Sequence, residues 1–335
     1  MTTDTTLTRR TMLAGLASAT VVPALAQDQS AGSIVIYTSN NQQAVQAVTD
    51  TAATLLPKAK ISAITGGSGQ LLRRIEAEAG KPQADVFWSS SPNTLGAFKP
   101  LYEPYKSPQA AAIPAELVEP GNLWTAANIH VVTMMLNTSQ FGGVPKPKTW
   151  ADLLDPRWKG KIIIADPANS STALTILWGF SKLLGADALK KLAGQLTVTS
   201  AAPTVLRAVA QGEYAIGLTF ESNAYAYVAG GQKEIELIYP EDGTFTSPES
   251  LVLVKNAPGG ELAKKAYDLL LAKETQIALL ESAYRRPSRS DIDVSKYVKL
   301  PNITAIKVFP VDEAEAAAKR TQFLADWTAA VAAAK

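Results

Sequence analysis

Short β-branched runs alternate with amphipathic stretches along most of the chain. Ser33-Ile34-Val35-Ile36-Tyr37, Lys60-Ile61-Ser62-Ala63-Ile64 and Ala84-Asp85-Val86-Phe87-Trp88 each predict a buried strand. Helical periodicity follows each run: over 42–56, closed by Pro57; in the stretch that carries Leu71, Leu72 and Ile75; and after Pro92. This rhythm predicts a parallel sheet with its polar loops at the carboxyl edge. A proline-rich stretch over 99–120 interrupts it, and Ile129-His130-Val131-Val132-Thr133-Met134-Met135-Leu136 predicts a long strand crossing to a second lobe. There the pattern restarts, with strands at 161–165 and 214–218 and a helix containing Leu174, Leu177 and Trp178. Residues 236–239 and 251–254 predict the return crossing, and helices follow over 262–283 and 313–334. The expectation is an α/β chain of two lobes, each a mixed sheet flanked by helices, with two crossing strands as the hinge of a cleft. Lobe 1 is assigned 27–128 plus 247–335, and lobe 2 is assigned 129–246.

Residues 1–26 do not fit this pattern. Thr8-Arg9-Arg10-Thr11-Met12-Leu13 starts an uncharged stretch that ends in Ala24-Leu25-Ala26, a small-x-small cleavage site. That combination predicts a Tat-type export signal peptide. No later run approaches the ~18 consecutive apolar residues of a membrane helix, and no cysteine is present for acylation, so a released periplasmic protein is expected.

Composition narrows the chemistry. The 335 residues are 47% hydrophobic and 19% charged, enough apolar content for a real core. A formal net charge of +2 argues against nucleic acid as a partner. With no cysteine and a single histidine, His130, thiol catalysis, disulfides, zinc fingers, iron–sulfur clusters and multi-histidine metal sites fall away, and no cofactor or resident metal is expected. His130 lies among Ile129, Val131 and Val132 and is expected to be a structural strand residue.

Four loops that follow a strand and precede a helix gather small hydroxyl and amide residues: 38–41, 66–70, 89–91 and 169–172. Helix starts carry unpaired N–H groups and a positive dipole end, so such loops suit an oxyanion such as phosphate, phosphonate or carboxylate. The same residues also suit ordinary helix caps, although capping leaves Gly66, Gly67 and Gly69 around Ser68 unexplained. The candidate anion-binding residues are Ser39, Asn40, Ser68, Gly69, Ser90, Ser170, Ser171 and Thr172. Thr219, Glu221 and Asn223, after an apolar strand, are candidates to read the rest of a ligand, with Glu221 suited to an ammonium group or hydroxyls and equally to a salt bridge.

The chain carries, in order, Ile34-Val35-Ile36-Tyr37, Gly67-Ser68-Gly69-Gln70-Leu71-Leu72-Arg73-Arg74-Ile75, Ala84-Asp85-Val86-Phe87-Trp88, the run from Trp150-Ala151-Asp152 to Gly160-Lys161, Asp166-Pro167, Gly212-Glu213 and Arg286-Pro287. In that order these segments resemble periplasmic solute-binding proteins of ABC importers, in the branch that holds ferric-ion-binding proteins and their organophosphate- and phosphonate-binding relatives. The resemblance implies a type 2 clamshell, usually monomeric, that closes on a small solute and delivers it to a membrane permease. The iron-binding members' pattern of histidine, glutamate and a tyrosine pair is replaced here by Asn41, Ser90 and Ser222 with Asn223. Hard Fe(III) wants anionic oxygen ligands that these residues do not supply. The expected solute is therefore an organophosphate such as a sugar phosphate, or an aminophosphonate. An Fe(III) carrier using Tyr225 or Tyr227 with a bound anion is the alternative. A secreted serine hydrolase built on Ser68 is a distant one, because Gly66-Gly67-Ser68-Gly69-Gln70 misses the G-x-S-x-G elbow at its last position.

Overall fold

The computed structural model describes Met1 and residues 32–334. Apart from Met1, the expected signal over 1–26 lies outside the described residues. In chain order the elements are β1 (Gly32–Thr38), α1 (Gln42–Leu55), β2 (Ala59–Thr65), α2 (Ser68–Ala77), β3 (Val86–Trp88), α3 (Pro92–Leu95), β4 (Tyr102–Glu103) and β5 (Thr125–Asn137). They continue with β6 (Ile162–Ala165), α4 (Ser171–Leu184), α5 (Ala186–Ala193), β7 (Leu196–Thr199), α6 (Ala202–Ala210), β8 (Ile216–Phe220), α7 (Glu221–Ala229) and β9 (Ile235–Ile238). The last are β10 (Thr246–Val254), α8 (Glu261–Leu271), α9 (Lys273–Ala283), β11 (Arg286–Pro287) and α10 (Glu313–Ala333).

The strands run in the order β2-β1-β3-β10-β5-β8-β6-β7. On the first side β1 pairs in parallel with β2 and β3, and on the second β6 pairs in parallel with β7 and β8. β10 and β5 are antiparallel to their neighbours and join the two sides. β5 belongs to both: Thr125 to Val131 pair with β10, and Val132 to Leu136 pair with β8. Two half-sheets joined by long strands are the expected two-lobed α/β architecture.

Local sequence accounts for the helices that matter to the cleft. Asn41 Oδ1 accepts the N–H of Ala44 at 3.0 Å and starts α1, whose Ala44, Ala47, Val48 and Ala52 form one buried stripe. Ser170 caps α4 in the same way, and Gly185 ends it at φ 89°, a conformation that costs glycine little. In the first lobe, one sheet face packs on α1, α8 and α9 and the other on Leu71, Leu72, Leu95 and Trp124. The second lobe's core surrounds β6 and β8 with Trp150, Leu174, Leu177 and Phe180.

The expected lobe division needs correction at the C-terminal end. Ala316, Phe323 and Trp327 of α10 join the second lobe's core, with Phe323 packed edge-on to Trp178 at 5.2 Å, while the same helix packs on α3 of the first lobe. The apolar spacing in 313–334 predicts a buried face but carries no information about which lobe covers it.

Candidate functional site

A cleft of about 1090 Å³ lies between the lobes. Its walls are the segments that leave the carboxyl ends of parallel strands: Ser39 to Gln43 after β1, Thr65 to Ser68 after β2, Ser90 and Ser91 after β3, Asn169 to Thr172 after β6, and Ser200 to Pro203 after β7. This is where open α/β sheets place ligands, and it aims the starts of α1, α2, α4 and α6 at one space.

Of the sequence candidates, Ser39, Asn40, Ser68, Ser90, Ser170, Ser171, Thr172 and Asn223 line the cleft. Ser90 does so from φ 70°, a strained backbone conformation for serine, held by Ser89 N–H to Ser250 O and Ser250 N–H to Ser90 O. Its buried hydroxyl has no hydrogen-bond partner. Three candidates are corrected. Thr219 is buried in β8 opposite Thr133 and does not face the cleft. Gly69 lies behind the wall, against the loop that precedes α4. Glu221 turns into the protein, where Arg286 grips both carboxylate oxygens at 2.8 and 2.9 Å and the Tyr239 hydroxyl donates at 2.6 Å.

The charged groups of the cleft are ones the sequence did not single out as site residues. Arg285, Glu249 and His130 all line it, each less than a tenth exposed. His130 is the strand residue expected, buried in β5 with its ring stacked on Phe220 at 4.1 Å and 8°, and it also reaches the cleft wall. Arg285 Nη1 lies 3.1 Å from His130 Nδ1 and 3.4 Å from Nε2 and donates to Ser222 Oγ at 3.1 Å, while His130 Nε2 stands 3.5 Å from both Glu249 Oε1 and Asn128 Nδ2. Burial drives the His130 pKa down against the pull of the Glu249 carboxylate. Burial alone would raise the Glu249 pKa, but His130, Arg285 and Asn40 outweigh it and hold the carboxyl below its usual range. Among the described residues Arg285 makes no ion pair, and its buried Nε has no partner. Glu249 Oε2 and Asn40 Oδ1 are buried and unpartnered as well. A guanidinium removed from water without a carboxylate is costly, so this one calls for an anion.

Residues 81–315 match the family model described as bacterial extracellular solute-binding protein. The chain belongs to this family. An uncharacterized Haemophilus influenzae protein is 34% identical over 231 residues, covering 65% of this chain and 66% of that one. A Salmonella typhi protein named for periplasmic binding of 2-aminoethylphosphonate is 25% identical over 69% of this chain and 70% of its own. Among solved structures, the Actinobacillus pleuropneumoniae periplasmic binding protein AfuA with fructose-6-phosphate bound is similar at TM-score 0.81 and 28% identity, over 90% of this chain and 99% of that one. The fold is that of the type 2 periplasmic binding proteins.

In this solute-binding protein the two lobes touch directly across one side of the cleft. Ser171 N–H, at the start of α4, donates to Ser68 Oγ at 3.2 Å, and Arg73 Nη2 donates to Asn169 Oδ1 at 3.0 Å. Glycines permit the approach: a Cβ on Gly69 would stand 2.5 Å from Ala168 O, and one on Gly67 2.9 Å from Asn169 O. The glycines around Ser68 thus let backbone from one lobe lie against backbone from the other. Behind the cleft, Glu313 at the start of α10 accepts from Asn93 N–H and Ser247 Oγ, each at 3.1 Å, and Asn93 reaches Thr175 of α4 at 3.2 Å. Burial pushes the Glu313 carboxyl up to about 7.

Proposed function

We propose that this chain is the capture component of an ABC importer, exported to the periplasm by the Tat-type segment over 1–26, and that its solute is a small organic phosphate or phosphonate. It works as a monomer and without turnover, closing on the solute and presenting it to the permease. The observation that carries this reading is Arg285, a buried guanidinium in the cleft wall with no carboxylate partner. Around it, the hydroxyls of Ser39, Ser68, Ser90, Ser170, Ser171 and Thr172, the Asn223 amide and the converging helix starts supply neutral donors to the remaining oxyanion positions. The names carried by the Salmonella relative and by sugar-phosphate-bound AfuA support the same ligand class. The hinge is β5 and β10, with α10 a further tie between the lobes.

The other two readings lose support at particular atoms. For an Fe(III) carrier, Tyr225 spends its hydroxyl on Lys299 O at 3.2 Å, leaving Tyr227 as the member of that pair on the cleft wall. For a hydrolase, Ser68 Oγ accepts from Ser171 while His130 serves Arg285 and Glu249, so no base is paired with that serine.

Titration calorimetry with sugar phosphates and alkylphosphonates tests the proposal on the wild type and on Arg285→Gln. Loss of one partner from a buried charge pair costs about 2–5 kcal/mol, so affinity should fall at least ~30-fold while the fold is kept. Equal affinity in the variant, or failure of every phosphate and phosphonate to bind, would overturn it.

A further inference from the structure

Two further arginines meet outside the cleft, at the seam where the lobes touch. Arg73, exposed on α2, and Arg320, half-buried on α10, are absent from the cleft wall. Arg73 is turned to the seam: its Nη1 lies 3.5 Å from where a Cβ on Gly69 would stand, and its Nη2 donates to the Asn169 amide oxygen of the second lobe. Helix α10 brings Arg320 to the same place. Ala317, three residues earlier, stands against Gly96, in the turn Gly96–Leu101 that also touches α2. The two guanidiniums are near enough to act on each other, since burial first and then the Arg73 charge lower the Arg320 pKa from its ordinary value.

Among the described residues neither arginine has a carboxylate partner, although their neighbours do. Arg74 pairs with Glu78, and Glu315 with both Lys182 and Lys319. Asp166, on the loop that carries Asn169, commits its two oxygens to Ala168 N–H and the Asn169 amide nitrogen. Arg73 is left with a neutral acceptor, and Arg320 with none among those residues, its Nε buried and unpartnered. Like charges left side by side are mutually destabilising, and a planar fork from each of two helices suits one oxyanion with acceptors on two faces. We propose that Arg73 and Arg320 form a second anion site, outside the solute cleft, that takes a dianionic oxyanion such as sulfate or phosphate. Two guanidiniums against no carboxylate set the charge of the ligand. Because Asn169 of the second lobe positions Arg73, anion binding and closure of the lobes favour each other. The site does not depend on what the cleft binds.

Calorimetry with sulfate, against chloride of matched ionic strength, tests this on Arg285→Gln, in which the cleft cation is gone. One site should appear, weakened at least about tenfold by Arg320→Gln or by Arg73→Gln, as the loss of a charge-assisted hydrogen bond warrants. Without sulfate both variants should melt no lower than their parent, because a like-charge pair has been removed; arginines kept only for packing would give lower melting temperatures. Gly69→Ala, which parts the lobes, should weaken sulfate about fivefold or more. Absence of sulfate heat, binding that survives both arginine substitutions, or lower melting of both variants overturns the site. Unchanged affinity in Gly69→Ala overturns its link to closure. Failure of phosphates and phosphonates to bind the wild-type cleft would sink the capture reading and leave this result untouched.

Discussion

Replacing Gly69 by alanine separates ligand grip from fold stability. In the closed arrangement the new methyl would stand 2.5 Å from the Ala168 carbonyl oxygen, about 0.9 Å inside ordinary contact at 3.4 Å. The obstacle is backbone of the opposite lobe rather than the end of a flexible side chain, so the lobes must part. Overpacking of this kind costs about 1–3 kcal/mol, and parting would also stretch the Ser68–Ser171 and Arg73–Asn169 hydrogen bonds. Within its own lobe the change is benign, because Gly69 is the second residue of α2 and does not use a positive φ. Alanine there adds up to about 1 kcal/mol of helix preference. The expected outcome is opposite movement of two readouts: ligand affinity by calorimetry falls roughly ten- to a hundredfold, while the ligand-free melting temperature holds or rises. A variant that binds as tightly as the wild type would refute the argument that Gly69 is required by closure.

Glu313→Gln should stabilise the protein in a pH-dependent way. The wild-type carboxyl is raised from 4.5 to about 7, so the folded state holds its proton more tightly than the unfolded one. The stability this gives is full below pH 4.5 and is lost as pH rises through 7. The advantage of glutamine should therefore grow across that window to about 1–3 kcal/mol above pH 7, discounted for the partial exposure of the residue and for the lost anion at the start of α10. Urea midpoints at pH 4.5 and pH 8 measure it, and a difference that does not change with pH would refute it. Glu221→Gln leaves Arg286 buried without its carboxylate and should lower stability by up to about 3–5 kcal/mol without reordering ligand preference; a change of selectivity at unchanged melting temperature would return Glu221 to the site. Arg285→Lys, which keeps the charge but loses the planar fork, should retain part of the affinity that Arg285→Gln loses; identical calorimetric losses would mean that charge at this position is irrelevant.

The alternation of strands and helices was legible because β-branched runs such as Ile162-Ile163-Ile164 and capped stripes such as Ala44, Ala47, Val48 and Ala52 are local signals. So were the hydroxyl loops, since each one follows a strand and starts a helix. The charged part of the site was not legible, because His130, Glu249 and Arg285 come from three elements far apart in sequence and meet only when β10 and the segment after α9 are laid along β5. Arg285 and Arg286 show the difficulty at closest range. Successive residues in extended chain point to opposite sides, so one arginine faces the cleft and its neighbour clamps Glu221 in the interior. The usable hints were Glu249 two residues before the apolar run 251–254 and a pair of arginines directly before a proline. Glu221 was misjudged for the same reason: a carboxylate at a strand end suits either side, and Arg286 decides.

One helix, α10, is fastened to both moving halves, through α3 on one side and through Phe323 and Trp327 on the other. A rod tied to both halves opposes wide gaping, so opening is expected to show most at the rim where residues 67–69 meet 168–170, the place for a membrane partner of such a clamshell to tell an empty protein from a loaded one.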